Sequence, residues 1–300
     1  MSAQPHLLIP RTFEGRPLPH PDEPVFDQGL AFDVETLLNR RQVLRAMGYG
    51  AVGAGLFSLV GCAPAIPSAT PGATSGTSAA TSGTGVAECA TIPEETAGPF
   101  PGDGTNGPDV LNQSGVVRAD IRSSFGSSTT LASGVPLTIR LAILDIAQSC
   151  APIDGAAVYL WHCDQAGRYS LYSSSAQSEN YLRGVQAAGA DGIVTFTSIF
   201  PACYSGRWPH IHFEVYPSLE KATNAGNKIA TSQVALPEDI CNQVYATSGY
   251  EQSVQNLGRV SLETDDVFAD DGGVHELAAV TGSVEKGYAI ALTVPVSRRS

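Results

Sequence analysis

The feature that most constrains the fold is a series of short apolar runs, separated by turn-forming residues, in the last two thirds of the chain. The first run is "VPLTIRLAILD" (135–145), in which every second residue is apolar. The residues that would share one face are Val135, Leu137, Ile139, Leu141 and Ile143. Because alternate side chains of a strand project from the same face, this pattern predicts a strand with one buried face.

Five further runs are short and rich in β-branched and aromatic residues, which strands favour. They lie at 156–163, 192–199, 209–216, 228–236 and 287–294. The turn signals "PIDG", "DQAG", "GADG", "NAGN" and "DDGG" separate these runs, and only "PEDICNQVYA" (237–246) predicts a helix. We therefore expect an all-β fold, a β-sandwich of short, mostly antiparallel strands with long loops.

The charge of the chain limits its partners. The 300 residues carry a formal net charge of −12, and 43% of them are hydrophobic. Proteins that bind nucleic acids carry a basic surface, so this composition argues against a nucleic-acid partner.

The first 62 residues predict an export signal rather than part of the fold. Arg40 and Arg41 precede an apolar, glycine-rich run that ends in "LVGC" at Cys62. The run is short for a membrane-spanning helix, and the pattern resembles a twin-arginine signal followed by a lipobox. We interpret 1–62 as an n-region, export signal and lipobox, with Cys62 acylated; the alternative is a buried helix of a folded N-terminal domain.

Residues 63–88 predict a flexible tether, because almost all of them are Ala, Ser, Thr, Gly or Pro. The β-sandwich domain would then span 89–300. This organisation predicts a bacterial protein that is exported, either secreted or held at the cell envelope by a lipid anchor in a membrane. Export permits disulfides. Five cysteines remain after Cys62, so at least one of them should be unpaired within the chain.

Two histidines in "GRWPHIHFEVY" (206–216) are candidate metal ligands. On a strand, His210 and His212 would share a face with Glu214. With Glu214, the histidines would form an Fe(II) or Zn site; with phenolates, the oxygen donors would favour Fe(III). Structural histidines without a metal are the remaining alternative.

Two tyrosines stand where they could reach such a site. Tyr169 follows the "DQAG" turn, and Tyr204 lies in the loop "FPACYSGRWP", six residues before His210. Functional side chains often lie on loops of this kind. Each tyrosine, considered alone, could equally be an ordinary packing residue.

A longer pattern resembles a known family. The segments "GAAVYLWHCDQAGRYS", "YLRGVQAAGADGIVTFTSIFPACYSGRWPHIHFEVY" and "TSQVAL" are similar to the catalytic core of intradiol ring-cleavage dioxygenases of the catechol and protocatechuate type. The resemblance runs from about Glu94 to Phe268. It implies a non-haem Fe(III) enzyme that uses O₂ to open the ring of a catechol-type aromatic diol, giving a cis,cis-muconate-type product.

The resemblance also implies roles for individual residues. Tyr169, Tyr204, His210 and His212 would bind Fe(III), and Tyr169 would act as an internal base. The other implied roles are charge stabilisation by Arg207, a hydrogen bond to the substrate region from Gln233, and a pocket wall formed by Pro99 and Phe100.

The resemblance leaves two points open. Soluble catechol-type members have a helical N-terminal region that mediates dimerisation, whereas this chain has a signal and a tether there, so the oligomeric state is not predicted. Two other functions remain as alternatives: a lipoprotein binding module without catalysis, and the Fe(II) or Zn enzyme built on His210, His212 and Glu214.

Overall fold

The computed structural model describes residues 12–13, 16–17 and 89–298. Almost all of the predicted export signal, its cysteine at position 62 and the tether at 63–88 lie outside the described residues. Within residues 1–85, β1 (Thr12–Phe13) pairs with β2 (Arg16–Pro17) in an antiparallel arrangement. None of the helices in the described part of the chain has the length and apolar character needed to cross a membrane.

The remainder of the described chain is organised around two sheets. The first sheet is centred on β3 (Pro136–Asp145). Its other strands are β4 (Ala151–Pro152), β7 (Ile193–Ile199), β10 (Ala279–Ser283) and β11 (Gly287–Val296). β3 pairs with β11 in parallel, whereas its pairings with β4 and β7 are antiparallel.

The second sheet has four antiparallel strands in the order β6–β5–β8–β9. They are β5 (Ala157–Trp161), β6 (Arg183–Ala187), β8 (His210–Tyr216) and β9 (Ala230–Ala235). The two histidines predicted to bind a metal therefore lie on an inner strand of this sheet. An inner strand has paired neighbours on both sides, which fixes the direction of its side chains.

The helices are few and short. They are α1 (Glu238–Tyr245) and α2 (Glu251–Leu257). Single 3₁₀ turns occur at Ile146–Gln148, Lys221–Thr223, Ala225–Asn227 and Phe268–Asp270. The six predicted strands and the predicted helix agree with β3, β5, β7, β8, β9, β11 and α1, to within two residues at most ends. β6, β10 and α2 were not predicted, because their sequences lack a clear apolar period.

The buried apolar residues of the described chain form one large core and two smaller clusters, and β8 contributes to the large core and to one of the smaller clusters. The predicted buried face of β3 is confirmed, since its apolar residues are at most 8% exposed. Ile211, Phe213 and Val215 of β8 belong to the same large cluster. The opposite face of β8 includes Tyr216, which belongs to a second cluster together with Tyr169. Strand alternation thus gives β8 an apolar face and a second, polar but equally buried face.

One disulfide joins the start of the domain to the first sheet. Cys89 is bonded to Cys150, which follows β3, and their Cα atoms are 6.0 Å apart. Cys163, Cys203 and Cys241 are free and buried. The expectation of at least one unpaired cysteine is therefore confirmed for the described residues. A disulfide that closes a long loop restricts the unfolded chain.

Candidate metal centre

The site is built around the polar face of β8. His210 and His212 are each 2% exposed, and their Nε2 atoms lie 3.1 Å apart. The Nδ1 atom of His210 donates to the carbonyl oxygen of Trp208. This bond places the proton of the neutral ring on Nδ1 and leaves the Nε2 lone pair free to bind a metal.

Tyr204 approaches the same point from the loop that precedes β8. Its hydroxyl oxygen is 3.1 Å from the Nε2 atom of His210. Two side chains of α2 hold this loop through Cys203. Asn256 donates to the carbonyl oxygen of Cys203 at 2.8 Å, and Ser253 accepts from the Cys203 amide at 3.0 Å. A short helix with little sequence signal therefore anchors the loop that carries Tyr204.

Tyr169 comes from the loop after β5. Asp164 shapes this loop: its carboxylate accepts the backbone amides of Ala166 and Arg168 at 2.9 and 3.0 Å. This is the usual action of an aspartate in a turn. The ring of Tyr169 lies 5.8 Å from that of Tyr204 and 6.2 Å from that of His212, measured between centroids. The four side chains predicted as ligands therefore converge, although they come from two loops and one strand.

The buried hydroxyl oxygen of Tyr169 has no hydrogen-bond partner among the described residues, and neither has the Nδ1 atom of His212, which lies on the other side of the ring from the Nε2 atom that faces His210. Buried polar groups are normally satisfied, so an unpartnered hydroxyl here is consistent with a missing ligand atom. Two phenol oxygens and two imidazoles form a donor set that suits a hard trivalent cation such as Fe(III). The residues present therefore fit the implied iron.

Burial controls the protonation of the four candidates. It lowers the pKa of His210 and His212 well below the usual histidine range, so both rings are neutral. It raises the pKa of Tyr204 to about 12 and holds the pKa of Tyr169 well above the ordinary tyrosine value. Without a metal, both tyrosines are therefore protonated at neutral pH. A bound cation of high charge would lower these pKa values and release the protons.

Arg207 and Gln233 lie beside this group and contact each other. The Nη2 atom of Arg207 donates to the Oε1 atom of Gln233 at 2.7 Å. Gln233 is fully buried on β9, directly opposite His212 in the strand register. The structure thus brings both predicted residues to the candidate centre, although it does not test the roles that the sequence assigns to them.

The predicted pocket wall also meets the centre. The ring of Phe100 lies 4.7 Å from that of Tyr169, while the carbonyl oxygen of Pro99 accepts from Asn106 at 2.7 Å. Gly98 has a φ of +67°, and a Cβ atom there would lie 3.2 Å from His212. A side chain at this position would be strained and would press on a candidate ligand. The segment 96–101, which we call the wall segment, therefore runs close to the histidines.

Glu214 does not join the histidines. Its carboxylate accepts from the Lys228 ammonium at 2.8 Å and from the Tyr216 hydroxyl at 2.6 Å. Among the residues with described positions, no group of three His, Cys, Asp or Glu side chains could hold a metal ion. The alternative of a site built on His210, His212 and Glu214 is therefore wrong. The reason is that Glu214 lies two residues further along the strand than His212, and its carboxylate is already bonded to Lys228 and Tyr216.

Sequence reasoning missed three residues that support the centre. The Trp161 ring stacks on that of His212, with centroids 4.9 Å apart and planes 2° apart. Arg183 is 1% exposed and donates to the carbonyl oxygens of Phe100, Pro101 and Ser170. Asp265 is fully buried and pairs with Arg207 at 2.9 Å. Trp161 and Arg183 lie inside the motifs quoted above, but Asp265 has no comparable signal.

The chain is similar to known proteins over the stretch that holds most of these residues. A family model described as dioxygenase matches residues 106–213, a range that includes both tyrosines, both histidines and Arg207. A search of curated proteins finds no match.

Solved structures are also similar. An intradiol ring-cleavage dioxygenase from Tetranychus urticae is 25% identical, with 71% of this chain and 98% of that chain covered and a TM-score of 0.56. A second dioxygenase structure has the same identity, coverage and TM-score. The dioxygenase domain of a carbohydrate-binding fusion protein from Streptomyces sp. SirexAA-E is 21% identical, with 69% of this chain and 99% of that chain covered and a TM-score of 0.45.

The matched residues include the first motif and most of the second, whereas "TSQVAL" (231–236) lies beyond them. The two similar structures with a TM-score of 0.56 each cover 71% of this chain. The chain thus matches a dioxygenase family model over part of its length and is similar in fold to solved intradiol ring-cleavage dioxygenases, which are oxidoreductases.

Proposed function

We propose that the chain is a non-haem Fe(III) dioxygenase that opens the ring of a catechol-type diol between its two oxygenated carbons. One diol and one O₂ would give one cis,cis-muconate-type diacid, so both oxygen atoms enter the product and no external reductant is needed. The observation that carries the proposal is the convergence of Tyr169, Tyr204, His210 and His212, with two phenol oxygens and two neutral imidazoles at one point. In the proposal these four hold the iron on a β-sandwich.

Bound Fe(III) would withdraw electron density from a chelated catecholate and activate its ring towards O₂. The chain's own residues would prepare the substrate. A buried phenolate is a strong base, since burial raises the pKa of Tyr169 well above the ordinary tyrosine value. Its oxygen atom would accept a proton from an incoming catechol hydroxyl.

Arg207 and Phe100 would act on the substrate from two sides. The Arg207 guanidinium is held next to Gln233 and would stabilise negative charge that develops during ring opening. The Phe100 ring beside Tyr169 offers an apolar surface for the aromatic ring of the substrate. Both roles depend on the substrate entering between the wall segment and Tyr204.

Absorption spectroscopy tests the ligand set. Tyrosinate bound to Fe(III) absorbs visible light strongly, so the iron-loaded protein should be red-brown. Tyr204→Phe should weaken or shift this band, whereas Tyr288→Phe should leave it unchanged, because the Tyr288 hydroxyl bonds to Gln243 in another part of the domain. A colourless iron-loaded protein, or a band unaffected by Tyr204→Phe, contradicts the proposal.

The reaction is tested by O₂ uptake with catechol, hydroxyquinol and protocatechuate, with the product identified by mass spectrometry. We expect uptake of one O₂ per ring opened for at least one of these diols. A binding module without catalysis would give no uptake with any of them.

We also propose that the protein is exported and anchored at the cell envelope through Cys62. The support is the Arg40-Arg41 pair with its apolar run and the Cys89–Cys150 disulfide, since disulfides persist in oxidising compartments. Replacing both arginines by lysine should leave the protein in the cytoplasm, and Cys62→Ser should release it from the membrane fraction. Unchanged export of the double-lysine variant would contradict this part of the proposal.

A further inference from the structure

A single buried carboxylate fixes the arginine of the candidate centre. Asp265 is 0% exposed and lies just before the 3₁₀ turn Phe268–Asp270. Its Oδ2 atom accepts from the Arg207 Nε atom at 2.9 Å and from the Trp208 amide at 2.6 Å. Its Oδ1 atom accepts the amides of Val267 and Phe268 at 2.9 and 3.1 Å. Four donors satisfy the buried charge, so the carboxylate has one stable orientation.

The contacts continue from Arg207 to the pocket wall. Arg207 uses Nε for Asp265 and Nη2 for the Oε1 atom of Gln233. The amide nitrogen of Gln233 in turn donates to the carbonyl oxygen of Thr96 at 2.9 Å. The orientation of the Gln233 amide is therefore determined at both ends, with its oxygen towards Arg207 and its nitrogen towards Thr96. Asp265, Arg207, Gln233 and Thr96 form one hydrogen-bonded chain, which we call the arginine chain.

Asp265 also fixes the surface next to the guanidinium. The Arg207 guanidinium carbon lies 5.9 Å from the centre of the Phe268 ring, and the Phe268 amide is one of the four donors to Asp265. One carboxylate therefore holds both the cation and the ring against which it rests. An arginine side chain has several rotatable bonds, and its direction is lost when such anchors are removed.

We propose that Asp265 is a positioning residue of the active site, which holds Arg207 in the orientation needed to stabilise negative charge in the reaction. This inference rests on the proposed function. In this proposal Asp265 affects the reaction through Arg207 and the arginine chain, and it touches neither the substrate nor the iron. The effect of its removal should therefore appear in turnover, with little effect on iron binding.

Hydrogen exchange tests the anchoring without iron or substrate. In the metal-free full-length protein labelled with ¹⁵N-arginine, the Arg207 Nε–H should exchange slowly. Asp265→Asn should speed this exchange about 10- to 100-fold, the range expected for the loss of a charge-assisted hydrogen bond. Asp145→Asn is the matched control. Asp145 is also buried, caps a 3₁₀ turn and lies 3.6 Å from the Arg298 guanidinium, but it belongs to β3 of the first sheet and not to the candidate centre. Unchanged exchange in Asp265→Asn overturns the anchoring.

Kinetics of the iron-loaded protein tests the role in turnover. Asp265→Asn should lower kcat about 10- to 100-fold, with KM, iron content and the visible band close to those of the wild type. In an Arg207→Gln background the same change should cost less than about twofold, because the residue through which Asp265 acts is already gone. Additive losses, or loss of iron together with kcat, would mean a general structural role and overturn the proposal.

The outcomes separate this proposal from the proposed function. If the wild type opens rings and Asp265→Asn keeps full kcat, the positioning role is wrong and the function stands. If the wild type opens no ring, the proposed function is wrong, and a positioning role in that reaction falls with it; the exchange rate still reports whether Asp265 holds Arg207. If Asp265→Asn does not fold, Asp265→Glu takes its place, because it keeps the charge but displaces the carboxylate, and the same readouts apply.

Discussion

The two ends of strand β8 have the same backbone geometry but different surroundings. At its start, the histidine end consists of His210 and His212; at its finish, the glutamate end consists of Glu214 and Tyr216. All four side chains are at most 2% exposed and lie on the same face of the strand. Strand alternation alone places Glu214 on the same face as the two histidines, so alternation does not separate it from them as a metal ligand.

Hydrogen bonding distinguishes the two ends. Both carboxylate oxygens of Glu214 have donors, namely Lys228 and Tyr216. At the histidine end, the hydroxyl of the adjacent Tyr169 has no partner within the described residues, and the Nε2 atoms of His210 and His212 face each other. A buried group that is already satisfied stabilises the fold, whereas an unsatisfied hydroxyl beside two imidazole nitrogens is open to a further atom. The comparison therefore supports a structural role for the glutamate end and the proposed binding role for the histidine end.

The largest expected effect is at the histidine end. His212→Ala removes one imidazole and should weaken iron binding by more than about 100-fold, since losing only an outer partner of a ligand already costs 10- to 100-fold. Visible absorption and metal analysis measure this loss. Glu214→Gln, two residues along the same face, is the matched control and should keep its iron and its colour. Iron loss in both variants would remove the distinction between the two ends.

At the glutamate end, the expected effect is on stability. Lys228→Met leaves Glu214 buried without its cation, which costs 3–5 kcal/mol for a fully buried pair. Because Lys228 is 31% exposed, water can replace part of the interaction, and we expect a loss of about 2 kcal/mol at pH 7. Urea unfolding measures this value, and the visible band should not change. If Lys228→Met unfolds at the same urea concentration as the wild type but has lost the visible band, the glutamate end has a binding role and not a structural one.

The loss in Lys228→Met should depend on pH. Burial raises the pKa of Glu214 above its ordinary value of 4.5, and Lys228 opposes this shift. Without Lys228, the folded state binds the proton more tightly than the unfolded chain does. The contribution of this group is therefore most favourable below pH 4.5 and is lost as the pH rises. We expect unfolding curves of the variant and the wild type to converge towards pH 4 and to separate towards pH 7.

The smallest expected effect is that of Tyr216→Phe. This change removes a neutral donor from Glu214 but leaves the Lys228 contact in place, so the expected loss is about 1 kcal/mol. Combining it with Lys228→Met should cost more than the sum of the single changes, because the carboxylate then has neither partner. Strictly additive losses would mean that the two contacts act independently of Glu214.

Much of the second sheet could be predicted from sequence because each strand has a local signal. β5, β8 and β9 are short segments that contain β-branched or aromatic residues, and their bounds agree with the prediction to within two residues. β6, "RGVQA", was missed because it contains a charged residue and a glycine. Arg183 is buried there because carbonyl groups from the wall segment receive its donors, a contact between residues more than 80 positions apart.

The candidate ligands could be named from sequence because the family motifs keep them in a fixed order, "GRYS" before "CYSGRWPHIH". The pairing of Arg207 with Asp265 could not, since 58 residues separate them and "ETDDVF" has no distinguishing pattern. Nor could the sequence exclude Glu214, because its partner Lys228 is 14 residues away on the approach to another strand.

By itself the sequence determined the β-rich fold class, the alternation of β8 and the identity of the four side chains that could hold a metal. These features depend on local periodicity and on short motifs, both of which are encoded by residues close together in the sequence. Only the tertiary structure decided which polar groups of β8 are satisfied, and which buried charge orients Arg207. The reason is that hydrogen-bond satisfaction depends on partners brought together from distant parts of the chain, and no local pattern encodes them.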